Sequence, residues 1–369
     1  MSYDLIVLGT GGIGSAALFS AARRGLKCLG VDRFAPGHDR GSSHGESRLI
    51  RLAYFEHPQY VPLLRRSYEL WDALDPSLLR RSGVFYFGRE QGPILGGVRA
   101  SAELHSLDVR LVDTAATHPQ YRLPDASQAL FEADAGWLPV EDCVLRHIEG
   151  AIAAGAEHRW GAAVSSFDTD GQRVSVAIGS DVVRARSLVI AGGPWAGQLL
   201  PDLGLPLTVM RKHLHWFRCE DERYRHGFFY ELPHGYFYGF PASNGRIKVA
   251  EHSGGEATAD PLGASRAPCP VDDERIDKFV AEYLPGVRSE RLQHSTCFYT
   301  MTPDEHFIVD RHPHAENVAF AAGLSGHGFK FAPAIGEALV DLVTDRATAT
   351  DLSFMSADRF GATASQARA

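Results

Sequence analysis

A glycine-rich loop near the N-terminus constrains the fold of this chain more than any other segment. Residues 4–8 form a short apolar run of strand character, residues 9–14 read G-T-G-G-I-G, and residues 15–24 form an alanine-rich stretch of helical character. A second apolar run, over residues 27–32, ends on an acid. This loop between a strand and a helix, with an acid closing the next strand, is typical of dinucleotide binding. The pattern predicts a Rossmann-like α/β unit.

Each glycine of this loop has a separate task in such a unit. Gly9 permits the tight turn, Gly11 lets the backbone approach a pyrophosphate, and Gly14 lets the helix pack on the strand. The helix N-terminus would receive the diphosphate. Asp32 would accept hydrogen bonds from the adenosine ribose and would disfavour a 2′-phosphate. Nicotinamide and flavin dinucleotides both fit this motif.

Composition argues against several other classes of protein. The net charge of −8 disfavours a nucleic-acid partner or an anionic membrane, because either requires a basic patch. No apolar run approaches the roughly 18–20 residues that span a bilayer. The five cysteines are scattered without a C-x-x-C pair, which argues against a disulfide framework and a metal site. The N-terminus lacks the features of a signal peptide. We therefore expect a cytoplasmic protein that binds no metal.

Two arginines follow the second predicted strand. Arg48 and Arg51 lie in a polar, glycine-bounded stretch over residues 41–51, and on a helix their spacing would place both guanidinium groups on one face. Neighbouring cations are costly unless an anion lies between them. A substrate carboxylate would be suitable, because arginine binds it in a bidentate manner. The alternative is a solvated pair on an exposed helix.

A second polar loop lies near the C-terminus. Residues 325–331 read S-G-H-G-F-K-F and lie between a predicted strand over residues 317–322 and a predicted helix over residues 333–344. Loops at the start of a helix bind ligands because the helix offers free N–H groups and a positive dipole end. We expect this loop to complete the dinucleotide site.

Five segments occur in a characteristic order along the chain: the glycine loop, residues 43–51, residues 238–241 (Y-G-F-P), residues 297–299 (C-F-Y) and residues 325–331. Together they resemble the family of monomeric sarcosine oxidase and N-methyl-tryptophan oxidase, within the D-amino-acid-oxidase-like flavoenzymes. The resemblance runs from about residue 3 to about residue 355. It implies FAD as cofactor, an amino-acid substrate and O2 as partners, and a monomer.

The resemblance also implies roles for individual residues. Cys297 matches the cysteine that carries the flavin through a thioether; the alternative is an inert buried thiol. Arg51 and Lys330 match the pair that binds the substrate carboxylate, although Lys330 could instead contact the pyrimidine carbonyls of the flavin. Lys248 matches the lysine that promotes the reaction with O2, and His252 matches an active-site histidine. Read without the family, Lys248 would point outward from a half-exposed strand.

The pocket walls are predicted from the same resemblance. Tyr238 and Tyr299 would line the substrate cavity, or would be ordinary core aromatics, and Phe229 takes a position that sarcosine oxidases give to methionine. Phe229 and the aromatic, His-rich residues 212–217 could shape the pocket for a larger side chain. Residues 252–255 look closer to the N-methyl-tryptophan oxidase branch.

The complete set of predicted site residues has three groups. Catalytic roles fall to Lys248, His252, Arg48 and Tyr238. Substrate binding falls to Arg51, Lys330, Tyr238, Tyr299 and Phe229. Cofactor binding falls to Gly9, Gly11, Gly12, Gly14, Asp32, Arg33, Ser42, His44, Arg48, Cys297, Gly326, Gly328, Phe329 and Lys330.

The expected fold is α/β, a Rossmann-like FAD-binding domain with an interleaved α+β substrate domain built on a mixed, mostly antiparallel sheet. The resemblance places the FAD-binding domain in residues 1–80, 140–210 and 296–369, and the substrate domain in residues 81–139 and 211–295. Further helices are expected over residues 58–74, 196–200 and 272–284, and a strand over residues 187–191. Residues 254–270 should form a mobile surface loop, and residues 361–369 a frayed tail.

These features predict FAD-dependent oxidation of a secondary amino acid, an N-methyl L-amino acid of the sarcosine or N-methyl-tryptophan type. The imine product would hydrolyse to formaldehyde and the amino acid, and O2 would become H2O2. One alternative is an oxidase or dehydrogenase of a cyclic imino acid such as proline or pipecolate. Another is a dinucleotide-binding protein without catalysis, which the convergence of cations at residues 48, 51, 248 and 330 disfavours.

Overall fold

The computed structural model describes residues 2–361, so most of the predicted frayed tail lies outside the described residues. The strands in chain order are β1 (Ser2–Leu8), β2 (Cys28–Val31), β3 (Ser47–Ile50), β4 (Val84–Arg89), β5 (Val109–Leu111), β6 (Ser127–Glu132), β7 (Gly136–Pro139), β8 (Glu157–Arg159), β9 (Val164–Thr169), β10 (Val174–Ile178), β11 (Asp181–Ile190), β12 (Thr208–Arg218), β13 (Gly227–Leu232), β14 (Gly235–Gly239), β15 (Arg246–Glu251), β16 (Glu256–Ala257), β17 (Arg291–Met301), β18 (Ile308–His312) and β19 (Ala315–Ala322). The α-helices are α1 (Gly12–Arg23), α2 (Val61–Leu74), α3 (Pro93–His105), α4 (Thr114–Thr117), α5 (Val140–Ala153), α6 (Ala196–Leu199), α7 (Pro270–Tyr283) and α8 (Ala332–Val343).

The first sheet contains the Rossmann-like unit. Its strand order is β18-β19-β11-β1-β2-β8, and the β9-β10 pair extends from β11. Strands β8, β2, β1, β11 and β19 run parallel, whereas β18 is antiparallel to β19. Both faces of β1 are covered. Leu5 and Val7 pack toward α1, α5 and α8, and Ile6 and Leu8 pack in the opposite layer. This two-sided burial explains why β1 is a continuous apolar run.

The second sheet is the mixed, mostly antiparallel sheet that the sequence predicts. Its strands are connected in the order β16-β12-β15-β14-β13-β4-β6-β5. Strands β15 and β16 pair with the same edge of β12, and β17 pairs with the opposite edge. Only β4 and β13 are parallel neighbours. One face carries an aromatic cluster that includes Phe229, Tyr238 and Tyr299. The opposite face packs on α7 through Ile276 and Phe279. The predicted α/β fold with a mixed second sheet is confirmed.

The two sheets draw their strands alternately along the chain. The first uses residues 2–31, 157–190 and 308–322, and the second uses residues 84–132, 208–257 and 291–301. Strand β17, which contains Cys297, belongs to the second sheet although it crosses the predicted boundary at residue 296. The domain boundaries stay predictions. Within the described residues, no helix is both long and apolar enough to cross a membrane.

A small ribbon of β3 and β7 joins the layers, and it corrects one interpretation. Arg48 lies in β3 and Arg51 directly follows it, so the helix considered for these two arginines is wrong. Pairing with β7 holds this segment extended, with Arg48 opposite Leu138. Just before β3, the carboxylate of Glu141 accepts hydrogen bonds from the backbone N–H groups of Gly45 (2.6 Å) and Glu46 (3.1 Å). Glu46 has a φ of 69°, a left-handed conformation that turns the chain into β3.

Candidate active site

The glycine loop joins β1 to α1 by a turn that side chains would block. Gly9 has a φ of 79°, and a Cβ added there would lie 2.5 Å from the carbonyl oxygen of Ala191. A Cβ on Gly14 would lie 1.7 Å from the carbonyl oxygen of Gly9. Both positions therefore require glycine, for the turn and for the close approach of helix to strand.

Asp32, directly after β2, organises the same loop. One of its carboxylate oxygens accepts hydrogen bonds from the backbone N–H (2.7 Å) and hydroxyl (3.2 Å) of Thr10. The other accepts from the backbone N–H of Phe34 at 2.9 Å. Asp32 borders a large cavity. Each carboxylate oxygen has two lone pairs, so Asp32 can still accept a ribose hydroxyl from that side.

The large cavity has a volume of about 440 Å³ and runs over the N-terminus of α1. Predicted cofactor residues that line it are Gly9, Gly11, Gly12, Asp32, Arg33, Ser42, Arg48, Gly326, Gly328 and Phe329. A Cβ on Gly12 would lie 2.9 Å from the ring of Phe329, and would fill the cradle between the two loops. The glycine loop and the C-terminal loop thus meet across one cavity, with room for an extended ligand.

A small cavity of about 50 Å³ adjoins the large one, because Arg48, Tyr299, Gly326 and Phe329 line both. The complete lining of the small cavity is Arg48, Leu49, Arg51, Glu56, Phe229, Tyr238, His252, Tyr299, Gly326, His327, Phe329 and Lys330. The structure therefore brings all five predicted substrate-binding residues to one place.

Arg51 is buried against an acid that sequence reasoning did not single out. Its Nη2 donates hydrogen bonds to both carboxylate oxygens of Glu56, at 2.7 and 2.9 Å. The guanidinium lies between the rings of Tyr54 (4.4 Å) and Phe55 (4.1 Å). Burial, the largest single effect, would raise the pKa of Glu56, but the charges of Arg51, His327 and Lys330 and the hydrogen bond from Arg51 together outweigh it, and the pKa falls to about 2. The other terminal nitrogen of Arg51, Nη1, is buried and has no hydrogen-bond partner.

Lys330 supplies a second buried cation on the same wall. Its Nζ donates to the carbonyl oxygen of His327 at 2.6 Å and lies 3.5 Å from the hydroxyl of Tyr54. Burial and the charge of Arg51 lower the pKa of Lys330 to about 7, against the opposing effect of Glu56. Lys330 can therefore gain or lose a proton near neutral pH according to what binds beside it.

Aromatic side chains and a neutral histidine form another wall of the small cavity. The ring of Phe229 lies 5.0 Å from that of Phe55 and stacks at 6.2 Å on that of Tyr238. His252 contacts Phe229 edge-on, and its Nδ1 lies 3.4 Å from the hydroxyl of Tyr299. Burial lowers the pKa of His252 to about 3, so its imidazole is neutral at ordinary pH. The cavity thus combines the cations Arg48, Arg51 and Lys330 and the acid Glu56 with an aromatic wall.

Lys248 is buried beneath this site and lines neither cavity. Its Nζ donates to the carbonyl oxygens of Gly45 (2.5 Å) and Ser47 (2.8 Å) and to the hydroxyl of Ser47 (3.3 Å). Burial and the charge of Arg48 lower its pKa well below the ordinary value. The alternative of an outward-pointing Lys248 on a half-exposed strand is therefore wrong.

Four predicted cofactor residues lie off the large cavity: Lys330, which lines the small cavity, and Gly14, His44 and Cys297. Gly14 is inside α1, where it serves packing. His44 is buried with no hydrogen-bond partner for its Nε2, and burial together with Arg48 lowers its pKa to about 3. Cys297 is a buried free thiol in β17, next to Phe298 and Tyr299, which do line the cavity.

Comparison with known proteins places this geometry in a family. A sequence model described as "FAD dependent oxidoreductase" matches residues 4–342. This chain belongs to the FAD-dependent oxidoreductases.

Two relatives of this oxidoreductase match over almost the whole chain. Monomeric sarcosine oxidase of Arthrobacter sp. (strain TE1826) is 37% identical over 376 residues, covering 97% of this chain and 96% of the relative. N-methyl-L-tryptophan oxidase of Citrobacter koseri is 37% identical over 377 residues, covering 98% of this chain and 100% of the relative. The recognised resemblance is confirmed.

Solved structures show the same fold. The open form of NikD, an unusual amino acid oxidase essential for nikkomycin biosynthesis, superposes with a TM-score of 0.85 at 25% identity, covering 96% of this chain and 97% of that one. Glycine oxidase from Geobacillus kaustophilus gives a TM-score of 0.82 at 20% identity, covering 97% and 99%, and supports the fold alone. The prediction of an FAD-dependent enzyme is confirmed, and the alternative of a binding protein without catalysis is discarded.

Several residues of this oxidoreductase's site were not predicted as site residues. Ser43 borders the large cavity and accepts a hydrogen bond from the backbone N–H of Gly12 at 3.0 Å. His327 lies between the hydroxyl of Tyr54 (2.5 Å) and the carbonyl oxygen of Glu305 (3.0 Å). Ser43 and His327 belong to the recognised segments, which could have indicated them. Glu56 carries no local signal, because its role depends on a contact with Arg51.

Proposed function

We propose that this enzyme oxidises the C–N bond of a secondary amino acid, namely an N-methyl L-amino acid with a small side chain, and that O2 is the electron acceptor. The imine product hydrolyses to formaldehyde and the demethylated amino acid, and O2 becomes H2O2. The two relatives, one named for sarcosine and one for N-methyl-tryptophan, support the reaction class. The name of the relative monomeric sarcosine oxidase also supports the proposal that this enzyme is a monomer.

One observation carries the substrate class: the small cavity has an excess of buried positive charge. Arg51 and Lys330 face it with Arg48 beside them, and Glu56 is the one acid among the residues that line it. Nη1 of Arg51 still lacks a partner. A buried donor without a partner costs roughly 1–3 kcal/mol, and more when charged, so an anion that reaches this point is stabilised. An α-carboxylate fits both the charge and the planar arginine.

FAD fits the large cavity through the glycine cradle, the N-terminus of α1 and the carboxylate of Asp32. The residues that would hold it are Gly9, Gly11, Gly12, Asp32, Arg33, Ser42, Ser43, Arg48, Gly326, Gly328 and Phe329. When bound, FAD supplies a hydride acceptor for the substrate carbon and a donor of electrons to O2.

The chain itself positions and shields the substrate. Arg51 and Lys330 hold the carboxylate, which fixes the α-nitrogen and its methyl group toward the large cavity. Phe229 and Tyr238 exclude water from the amine. The neutral ring of His252 adds no positive charge, so it does not disfavour development of positive charge on the substrate nitrogen. The volume of the small cavity, about 50 Å³, supports a small side chain.

We assign Lys248 to the reaction with O2. Its position next to Arg48 and Ser47 puts a buried lysine behind the wall that the two cavities share. Lys248 in its protonated form would stabilise the negative charge that develops on O2 as it is reduced.

We also assign the covalent tether to Cys297. Its thiol is buried, it forms no disulfide, and the next residues of β17 border the large cavity. In Cys297→Ser we expect flavin to be released by denaturation and filtration, whereas wild-type protein should retain it. Cys219→Ser, which changes a buried cysteine in a different core cluster, should retain flavin as well. Flavin that stays bound in Cys297→Ser after denaturation would refute the tether.

The central test is anaerobic mixing of FAD-loaded enzyme with sarcosine, N-methyl-alanine, N-methyl-tryptophan, proline and pipecolate. We expect the flavin absorbance to bleach fastest with the two small N-methyl amino acids, and H2O2 to form when air is admitted. Bleaching by proline or pipecolate alone would replace the substrate by a cyclic imino acid. Bleaching without H2O2 would replace O2 by another acceptor.

A further inference from the structure

The His-rich segment over residues 212–217 has no part in the active site described above, and the fold explains why. It lies in β12, where side chains alternate between faces. Leu214 and Trp216 pack in the aromatic cluster on the active-site face. His213 and His215 therefore point to the opposite face, where His294 of β17 lies directly across from His215.

His213 is buried there with an unused ligand atom. Its exposed fraction is 1%, and its Nε2 has no hydrogen-bond partner. Its other ring nitrogen, Nδ1, lies 2.9 Å from Nε2 of His294. If Nδ1 of His213 donates its proton to His294, Nε2 carries a free lone pair, and an outer hydrogen bond of this kind orients metal-binding histidines in proteins.

Two further donors converge on this nitrogen. The carboxylate oxygen Oε2 of Glu256 lies 3.7 Å from Nε2 of His213. The Sγ atom of Cys269 lies 3.6 Å from Oε1 of the same carboxylate. The three ligand atoms all lie within 4.8 Å of one another. Bonds of about 2.0–2.3 Å to a tetrahedral ion require ligand atoms separated by this order of distance.

Neighbouring groups occupy the adjacent donors, and Arg211 pairs with one carboxylate oxygen of this set. Nε2 of His215 is already paired with Asp272 at 2.6 Å, and Asp273 lies 2.5 Å from Arg291. Arg211 contacts Glu256 through Oε2, with its Nε at 2.8 Å, so Oε1 remains toward Cys269. Arg211 would then orient the ligating carboxylate from behind, as outer partners do in metal sites.

We propose that His213, Glu256 and Cys269 form a binding site for a zinc-type divalent cation. One nitrogen, one oxygen and one sulfur ligand, with the fourth position left to water, is a donor set that such ions accept. Cys269 is half-exposed, which gives the ion a path from solvent. No local pattern in the sequence indicated this site, because its three ligands come from separate segments of the chain.

The site would anchor a loop behind the active site. Glu256 lies in β16 and Cys269 directly precedes α7, so both ends of the intervening loop become tied to β12. Lys212, next to His213, donates hydrogen bonds to the carbonyl oxygens of His252 (3.1 Å) and Gly254 (2.9 Å). A bound cation would thus stabilise the segment that carries His252.

The test uses tag-free, full-length, FAD-loaded protein stripped with a chelator and titrated with Co²⁺ or Zn²⁺. With Co²⁺ we expect tetrahedral bands at wavelengths beyond the flavin absorption and a thiolate charge-transfer band, at one ion per chain. Zn²⁺ should displace Co²⁺ and so abolish these bands. It should also slow trypsin cleavage after Arg266, which lies in the loop. None of these readouts needs turnover, so failure here is distinguishable from failure of the proposed function.

Matched variants locate the ion. Cys269→Ser should abolish the thiolate band. Glu256→Gln should weaken Co²⁺ binding by about tenfold to a hundredfold, as loss of a ligand or of its support does. Cys219→Ser and Glu290→Gln, outside the cluster, should bind as wild type does. Weak binding at several ions per chain without a thiolate band, or a band that survives in Cys269→Ser, would overturn the proposal.

Discussion

Arg51 donates two hydrogen bonds from one nitrogen to Glu56, at 2.7 and 2.9 Å, inside the small cavity. The carboxylate of Glu56 is therefore an internal competitor for the cation that we assign to the substrate carboxylate. Substrate binding has to share Arg51 with Glu56 or displace it. This relationship determines both the affinity of the site and the cost of changing either residue.

Arg51 and Glu56 are best separated by a double-mutant cycle. Arg51→Met leaves Glu56 buried without its partner, and breaking a buried pair in this way costs roughly 3–5 kcal/mol of folding free energy. Arg51→Met/Glu56→Gln should recover most of that stability in urea unfolding of the loaded enzyme. Both variants should raise KM for the substrate by roughly a hundredfold, because the carboxylate has lost its arginine.

The single change Glu56→Gln should act in the opposite direction on affinity. It removes the competing charge, so acetate should inhibit more tightly, by roughly tenfold. Glu69→Gln, an exposed position on α2, is the matched control and should leave inhibition unchanged. Weaker inhibition in Glu56→Gln would mean that Glu56 positions Arg51 rather than competing with the ligand.

Lys330 should make carboxylate affinity depend on pH. Its pKa is lowered to about 7 by burial and Arg51, and a bound carboxylate would raise it again by stabilising the ammonium. Below about pH 7 the free enzyme already carries the proton, so affinity is constant and highest. Above it, affinity should fall by up to about tenfold per pH unit until the pKa of the complex is reached.

Inhibition by acetate, which has no amine to titrate, measures this effect directly. The Lys330→Met variant should bind acetate weakly, and its inhibition constant should no longer change with pH near neutrality. A wild-type inhibition constant that stays flat across neutral pH would exclude Lys330 as a carboxylate ligand.

Phe229 should control the size of the substrate. Phe229→Ala removes the ring that lies between Phe55 and Tyr238, and the space gained should favour a larger side chain. We expect the ratio of kcat/KM for N-methyl-tryptophan over sarcosine to rise by about tenfold or more. Phe228→Ala creates a similar cavity on the other face of the sheet and should leave the ratio unchanged. An equal change in both variants would assign the effect to general loosening of the sheet.

Lys248→Met should slow the reaction with O2 far more than the reaction with substrate. Loss of one preorganised charge at a developing anion costs roughly a hundredfold in rate. Stopped-flow absorbance separates anaerobic flavin bleaching from its recovery in air. Lys278→Met, on the exposed side of α7, should change neither rate. Comparable losses in both half-reactions of Lys248→Met would contradict its assignment to O2.

Local backbone requirements allowed much of the fold to be predicted. The glycine loop was predicted because the turn at Gly9 and the contact at Gly14 tolerate no side chain. The helices expected over residues 58–74, 272–284 and 333–344 correspond to a 3-10 turn with α2, to α7 and to α8, each within about two residues. Periodicity and proline placement decide such segments locally.

By itself, then, the sequence determined the dinucleotide unit, the mixed second sheet and the set of polar side chains available for chemistry. Only the tertiary structure decided that Arg48 lies in a strand with Arg51 directly after it, that Glu56 pairs with Arg51, and that His213 meets Glu256 and Cys269. The physical reason is the distance along the chain over which each effect acts. Glycine turns and apolar periods act over a few residues, whereas burial, ion pairing and ligand geometry depend on which distant segments the packing brings together.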